Sequence, residues 1–172
     1  MRKTVFLLAS LFVMACGIQS VKAQIGSASA SASANATIIT PIAIAQVADL
    51  NFGNIVAGIG AGNVTVGTDG IRTSIGDVIL PTATPGTVNA AEFTVTGLAN
   101  ATYAITLPTS IDISTTGGEI MTVTDFTSNP DEAGKLAADG KQTLLVGATL
   151  NVGANQPAGA YTGEFSVIVN YN

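Results

Sequence analysis

The chain has 172 residues with one Cys, no His and no Trp, and only 10% are charged, well below the roughly 25% of an average soluble domain. This length suits a single domain with a real core. The missing histidine excludes His-based triads, His general bases and His-liganded zinc. The net charge of −5, with no stripe of basic and aromatic residues, argues against nucleic acid.

The N-terminus reads as an export signal. Arg2 and Lys3 precede an apolar run from Thr4 to Ala15, too short to span a bilayer core of about 30 Å comfortably. Val21-Lys22-Ala23 then supplies small residues at the last and third-from-last positions, which predicts a signal peptide over 1–23 with cleavage after Ala23. Val13-Met14-Ala15-Cys16 loosely matches a lipobox, so Cys16 is a second candidate, for lipidation. Cleavage after Ala23 removes Arg2, Lys3 and Lys22. Arg72, Lys135 and Lys141 then face 11 acidic residues, a net charge of −8. The mature chain would hold no cysteine, so burial alone must stabilise it.

Beyond the signal the dominant period is two. Residues 24–35 form a Ser/Ala-rich arm, with Ala28, Ala30, Ala32, Ala34, Ala36 and Ile38 on even positions and Ser, Asn or Thr between them. Extended, this stretch has one apolar and one polar face; its bland alternative is a flexible linker. Thr40, Ile42 and Ile44 continue the parity across Pro41, which marks an edge or a break in a strand. Asp49–Ile55 is a short strand with Leu50 and Phe52 on one side. Ala57–Asn63 reads as a mobile glycine loop before Val64–Val66 and a turn at Thr68–Gly70.

Further strands are expected at Val78–Leu80, Ala91–Leu98 and Thr102–Leu107, the last two as a hairpin about Ala99-Asn100. Ile120–Thr124 and Thr143–Val152 follow. Residues 131–138 leave room for one helical turn at most. Gly159–Asn172 closes the chain with Phe165, Val167, Val169 and Tyr171 on one face. Many short strands separated by Gly, Asn, Asp and Pro predict an all-β, Ig-like or pilin-like antiparallel sandwich over 36–172, preceded by the extended arm.

The inventory of reactive groups is thin. Serine is plentiful, but no Gly-x-Ser-x-Gly elbow is present, and Lys135 and Lys141 lie in polar, loop-like sequence. Asp131-Glu132 follow Asn129-Pro130 and suit a turn better than a carboxylate pair. Gly58-x-Gly60-x-Gly62 precedes no helix that would hold phosphate. Asp69, Asp77 and Asp125 are scattered, without calcium-loop spacing. No catalytic residue, cofactor or metal is assigned, and the expectation is a protein that is not an enzyme.

Two resemblances bear on function. Ala36–Ile44, Asp49-Leu-Asn-Phe-Gly53, Phe93–Gly97, Val146–Leu150 and Gly159-Ala-Tyr-Thr-Gly163 resemble a family of secreted bacterial domains of unknown function, DUF4402. The C-terminus, with Gly159 fourteenth from the end, Tyr171 penultimate, and Phe165, Val167 and Val169 between, resembles chaperone–usher pilin subunits. That second resemblance implies an exported subunit of an adhesive surface fibre. Its partners would be copies of itself or related subunits, a periplasmic chaperone and an outer-membrane usher. The strand given to a neighbour would draw on Ala28, Ala30, Ala32, Ala34, Ala36, Ile38, Ile42 and Ile44. The larger knobs of Ala36–Ile44 offer an alternative to the alanine stretch as its centre. The competing readings are a monomeric secreted or lipid-anchored module that binds a glycan or a protein, and an enzyme.

Overall fold

The computed structural model describes residues 26–172. The predicted signal peptide and Cys16 lie outside the described residues. The chain divides into two units, Met1–Thr37 and Ile38–Asn172. In the first, residues 26–37 are exposed and carry no regular structure.

The second unit is an all-β, antiparallel sandwich. Its strands in chain order are β1 (Ala43–Ala48), β2 (Asn51–Phe52), β3 (Val56–Val66), β4 (Arg72–Ile79), β5 (Val88–Asn89) and β6 (Ala91–Thr96). Then come β7 (Thr102–Thr106), β8 (Ser110–Ser114), β9 (Ile120–Asn129), β10 (Ala133–Lys135), β11 (Lys141–Val152) and β12 (Ile168–Tyr171). A large sheet holds β1, β6, β11, β3, β4, β9 and β8. A small sheet runs β10-β7-β12, and β2 pairs with β5 alone.

Strand β11 is the spine of the large sheet. Leu145 and Val146 pair with β6 and with β9, and Thr149 to Asn151 pair with β3 and with β9. One edge of β11 therefore serves β6 and then β3, while β9 occupies the other. Leu144, Val146, Ala148, Leu150 and Val152 share one face and are all buried, and Gly147 and Thr149 between them are buried as well, as at the centre of a sheet. Gly147 marks the handover from β6 to β3. A Cβ there would run into the Val66 carbonyl and the turn at Gly67-Thr68, so only glycine lets the end of β3 pass so close.

The core has two parts. One gathers Ala91, Val95, Tyr103, Leu136, Leu144, Val146 and Val169 between β6, β11 and the small sheet. Here Tyr103 is fully buried and its hydroxyl donates to Gln142 Oε1 at 2.9 Å; burial pushes its phenol above the ordinary value of 10.0. The other part gathers Val64, Val78, Val123, Ala148, Leu150 and Val152, and most of the apolar side chains packed on it are only partly buried.

Several local expectations are corrected. Ala57–Asn63 is no mobile loop: it belongs to β3, which bulges between Ala57 and Gly62 against β4. Asp77 accepts a bond from the Gly60 N–H at 2.7 Å and fixes the bulge. β6 and β7 are consecutive but do not form a hairpin. Asn100, at φ 62°, and a bond from Ala101 N to Leu98 O at 3.1 Å turn the chain from one layer to the other. Residues 133–135 form β10, paired with β7. The first strand starts at Ala43, after Pro41, rather than at Ile38.

Candidate functional site: an open cleft in the second layer

The small sheet covers only part of the large one. Over the rest lies a cleft of about 1490 Å³. Its floor is the inner face of the large sheet, with Ile111 and Ile113 from β8, Met121 and Val123 from β9, and Leu150 and Val152 from β11. One wall is the stretch from Asp49 to Ala57, and the other runs from Gln156 to Phe165.

Hydrogen bonds hold both walls, so the cleft is built into the fold. On the first wall, Arg72 Nη1 donates to the carbonyls of Phe52 at 2.6 Å and Asn54 at 2.9 Å. The Asn54 N–H donates to Pro85 O at 2.7 Å. Gly53, at φ +71°, lies between these carbonyls, and a Cβ there would strike the Pro85 carbonyl and the Arg72 guanidinium. The side chains of Asn51 and Asn89 both donate to the Asp49 carbonyl. Asp49-Leu-Asn-Phe-Gly53 thus alternates apolar anchors, Leu50 and Phe52, with groups that fasten the wall.

On the second wall, Gln156 Nε2 donates to Ile120 O at 3.1 Å and to the Tyr161 hydroxyl at 2.9 Å, and that hydroxyl donates to Pro157 O at 2.8 Å. Thr162 and Ser114 exchange main-chain bonds of 2.9 and 3.0 Å. From there the chain loses its partner. Residues 164–167 alternate in burial, as a strand would, yet among the described residues join no ladder. Phe165 ends the cleft, with its ring 6.2 Å from Phe93 and 5.2 Å from Phe126, centroid to centroid.

The ionisable residues in this lining are Asp49, Tyr161 and Glu164. No basic side chain stands beside them among the described residues, and no three of His, Cys, Asp and Glu gather into a metal site. The cleft offers an apolar floor between polar walls, with unpaired main chain along one of them, which suits an extended polypeptide.

The sequence from residue 42 to residue 171 matches the family described as "Domain of unknown function (DUF4402)". The chain belongs to this family. No curated protein and no solved structure matches it. The DUF4402 match spans both walls of the cleft and its whole floor, and leaves the arm outside.

The residues singled out in the sequence fall into three places. Ala28, Ala30, Ala32, Ala34 and Ala36 are exposed and outside any strand, and Ile38 is 98% exposed. Ile42 and Ile44 instead pack on the core of their own domain, beside and within β1. Gly159 and Phe165 line the cleft. Val167, Val169 and Tyr171 pack against the first core cluster. The Tyr171 hydroxyl accepts from Leu98 N at 2.6 Å and donates to Thr40 O at 2.8 Å. It ties the last strand to the point where the domain begins.

Sequence reasoning missed the floor. Ser110-Ile-Asp-Ile-Ser114 is a clean period-two strand, β8, and its alternation was the available signal. Met121 and Leu150 were placed on strands, but nothing local distinguishes an inner face that is covered from one left open.

Proposed function

We propose that this protein is an exported structural subunit of a surface fibre, pilin-like and adhesive, whose N-terminal arm adds a strand to the cleft of a neighbouring copy. One observation carries the reading. Beside an apolar floor, residues 164–167 have the burial pattern of a strand and, among the described residues, no ladder partner. A partly exposed apolar floor and unpaired main-chain groups both cost free energy in water, and one extended segment would relieve both.

Residues 26–39 fit the role of donor. They are exposed, they carry no strand, and their even positions form one apolar face up to Ile38. Tyr171 holds the chain at Thr40, so the segment available to a neighbour ends there. Ile42 and Ile44 pack on the core of their own domain, so in this reading the donated strand would centre on the alanine stretch and Ile38. A donor and an acceptor at different places on one molecule make a head-to-tail contact, which grows into a filament. Before assembly, a periplasmic chaperone would cover the same edge, and an outer-membrane usher would receive the subunit.

The test is electron microscopy of cells expressing the full chain or the chain lacking residues 26–37. The expected result is fibres from the first and none from the second, with the shortened protein still exported. Undiminished fibres without the arm would overturn the reading.

A further inference from the structure

The last strand has a second edge, and the hydrogen bonds of its neighbour say which groups lie there. Ile105 N donates to Glu132 O at 2.7 Å, so the main chain of Ile105 faces β10, and that of Ala104 and Thr106 faces β12. Their partners on β12 are Asn170 and Ile168. Val169 and Tyr171, opposite Ile105 and Tyr103, therefore turn their N–H and C=O groups to the other side. Thr162, which exchanges main-chain bonds with Ser114, has the same parity as Ile168. The alternation between them turns Gly163, Phe165 and Val167 outward too. None of these outward groups has a main-chain partner among the described residues.

The two ends of this edge differ. At the Tyr171 end the chain's own entry fills the space. The Tyr171 hydroxyl donates to Thr40 O at 2.8 Å, and Gly97 makes room for it, since a Cβ there would strike that hydroxyl. Ile42 packs on the same core cluster as Val169. At the Gly163 end the floor of Ile111, Ile113 and Met121 is only partly buried, and Pro157 to Ala160 on the adjoining wall are exposed.

These ends restrict how an arm can enter. We infer that the arm of a neighbouring copy lies antiparallel along this edge, with Ala28, Ala30, Ala32 and Ala34 opposite Val169, Val167, Phe165 and Gly163, and with Ile38 at the rim. The inference rests on the strand donation proposed above and adds its direction and register. A donor's body begins at Thr40, where its own Tyr171 holds it, and a whole domain cannot enter the cleft. The root of the arm must therefore stay at the open end, while its thin N-terminal part runs toward the filled one. Side-chain size agrees. Alanine methyls meet the closed part near Val167 and Val169, and Ile38, 98% exposed in its own copy, stays over open floor. Val169 is the last position before the filled end and Ala28 the first alanine of the series, so this register lays the whole series along the edge. Gly163 brings its backbone against Ile113, which sets Ala34 beside the floor.

Cysteine pairs on the solvent face read the direction without touching the core. Ser166 and Ile168 are exposed. Toward the donor they take non-hydrogen-bonded positions, where facing Cα atoms lie about 4.5 Å apart, close enough for a disulfide. Full-length copies with one cysteine each, in a Cys16→Ser background, are refolded as mixed pairs and oxidised. Ser31→Cys with Ser166→Cys, and Ser29→Cys with Ile168→Cys, should each give a reducible link between the two copies as the main product. Asn35→Cys with Ser166→Cys, and Thr37→Cys with Ile168→Cys, which a parallel arm would bring together, should give none. Links in this second set, or a link displaced to Ser33→Cys with Ser166→Cys, would overturn the inference and leave strand donation standing. No link in either set would overturn both.

Discussion

The two parts of the core share one spine and meet different fates. Around Leu144 and Val146, β11 faces a second layer, the β10-β7-β12 sheet, and Tyr103, Leu144 and Val146 between them are fully buried. Around Leu150 and Val152 the same strand faces two walls with a gap between them, and Ile111, Ile113 and Met121 stay partly exposed. The strand itself does not change. What differs is whether a paired strand lies above it. The covered part carries stability, and in the proposed function the open part would receive a strand from a neighbour.

Truncation should separate the parts most strongly. Leu144→Ala should cost about 2–5 kcal/mol in urea unfolding, since a closed core relaxes little around the hole. Ile113→Ala should cost well under half of that in the isolated subunit and show its main effect in assembly. Equal losses at both positions would show that the open part is as tightly packed as the sealed one.

Next in size are the wall fastenings. Gly53→Ala forces a Cβ into the Pro85 carbonyl at positive φ and should destabilise by more than about 1 kcal/mol. Arg72→Met keeps the bulk of the stem and removes the bonds to two carbonyls, at about 1–3 kcal/mol. Hydrogen exchange after Arg72→Met should quicken in residues 51–57 and leave β7 and β12 unchanged.

Tyr171→Phe removes one donated and one accepted hydrogen bond, at about 1–2 kcal/mol, and should release the chain before β1. A melting temperature unchanged by this substitution would refute the anchoring role. The smallest effect belongs to pH. The folded phenol of Tyr103 titrates above the unfolded one, so its contribution is complete below the unfolded value and is lost as pH rises past about 10. Denaturant midpoints should fall in that alkaline window, and less steeply in Tyr103→Phe.

Much of the layering was legible from period-two alternation. Thr143–Val152 and Phe165–Tyr171 show it plainly, because half-buried strands must alternate. Pairing was not legible. Ala91–Leu98 and Thr102–Leu107 are separated by a short turn typical of a hairpin, yet Asn100 at positive φ sends them to different sheets. The glycines of Ala57–Asn63 suggested a loop, because their partner, the Asp77 carboxylate, is distant in sequence. The cleft was hidden for a similar reason. An open cleft leaves no mark on the local sequence of its walls, and only Ile111 and Ile113 on β8 hinted at another inner face.

The most direct test of the arm-and-cleft account is a chain carrying Ala34→Cys and Ile113→Cys, refolded from an equal mixture of isotope-labelled and unlabelled copies and then oxidised. Mass spectrometry of the linked peptides reports whether residues 34 and 113 come from one copy or two. The account predicts links that join labelled to unlabelled peptides as often as chance pairing of copies allows. Links confined to a single label, or no link between these residues, would contradict it.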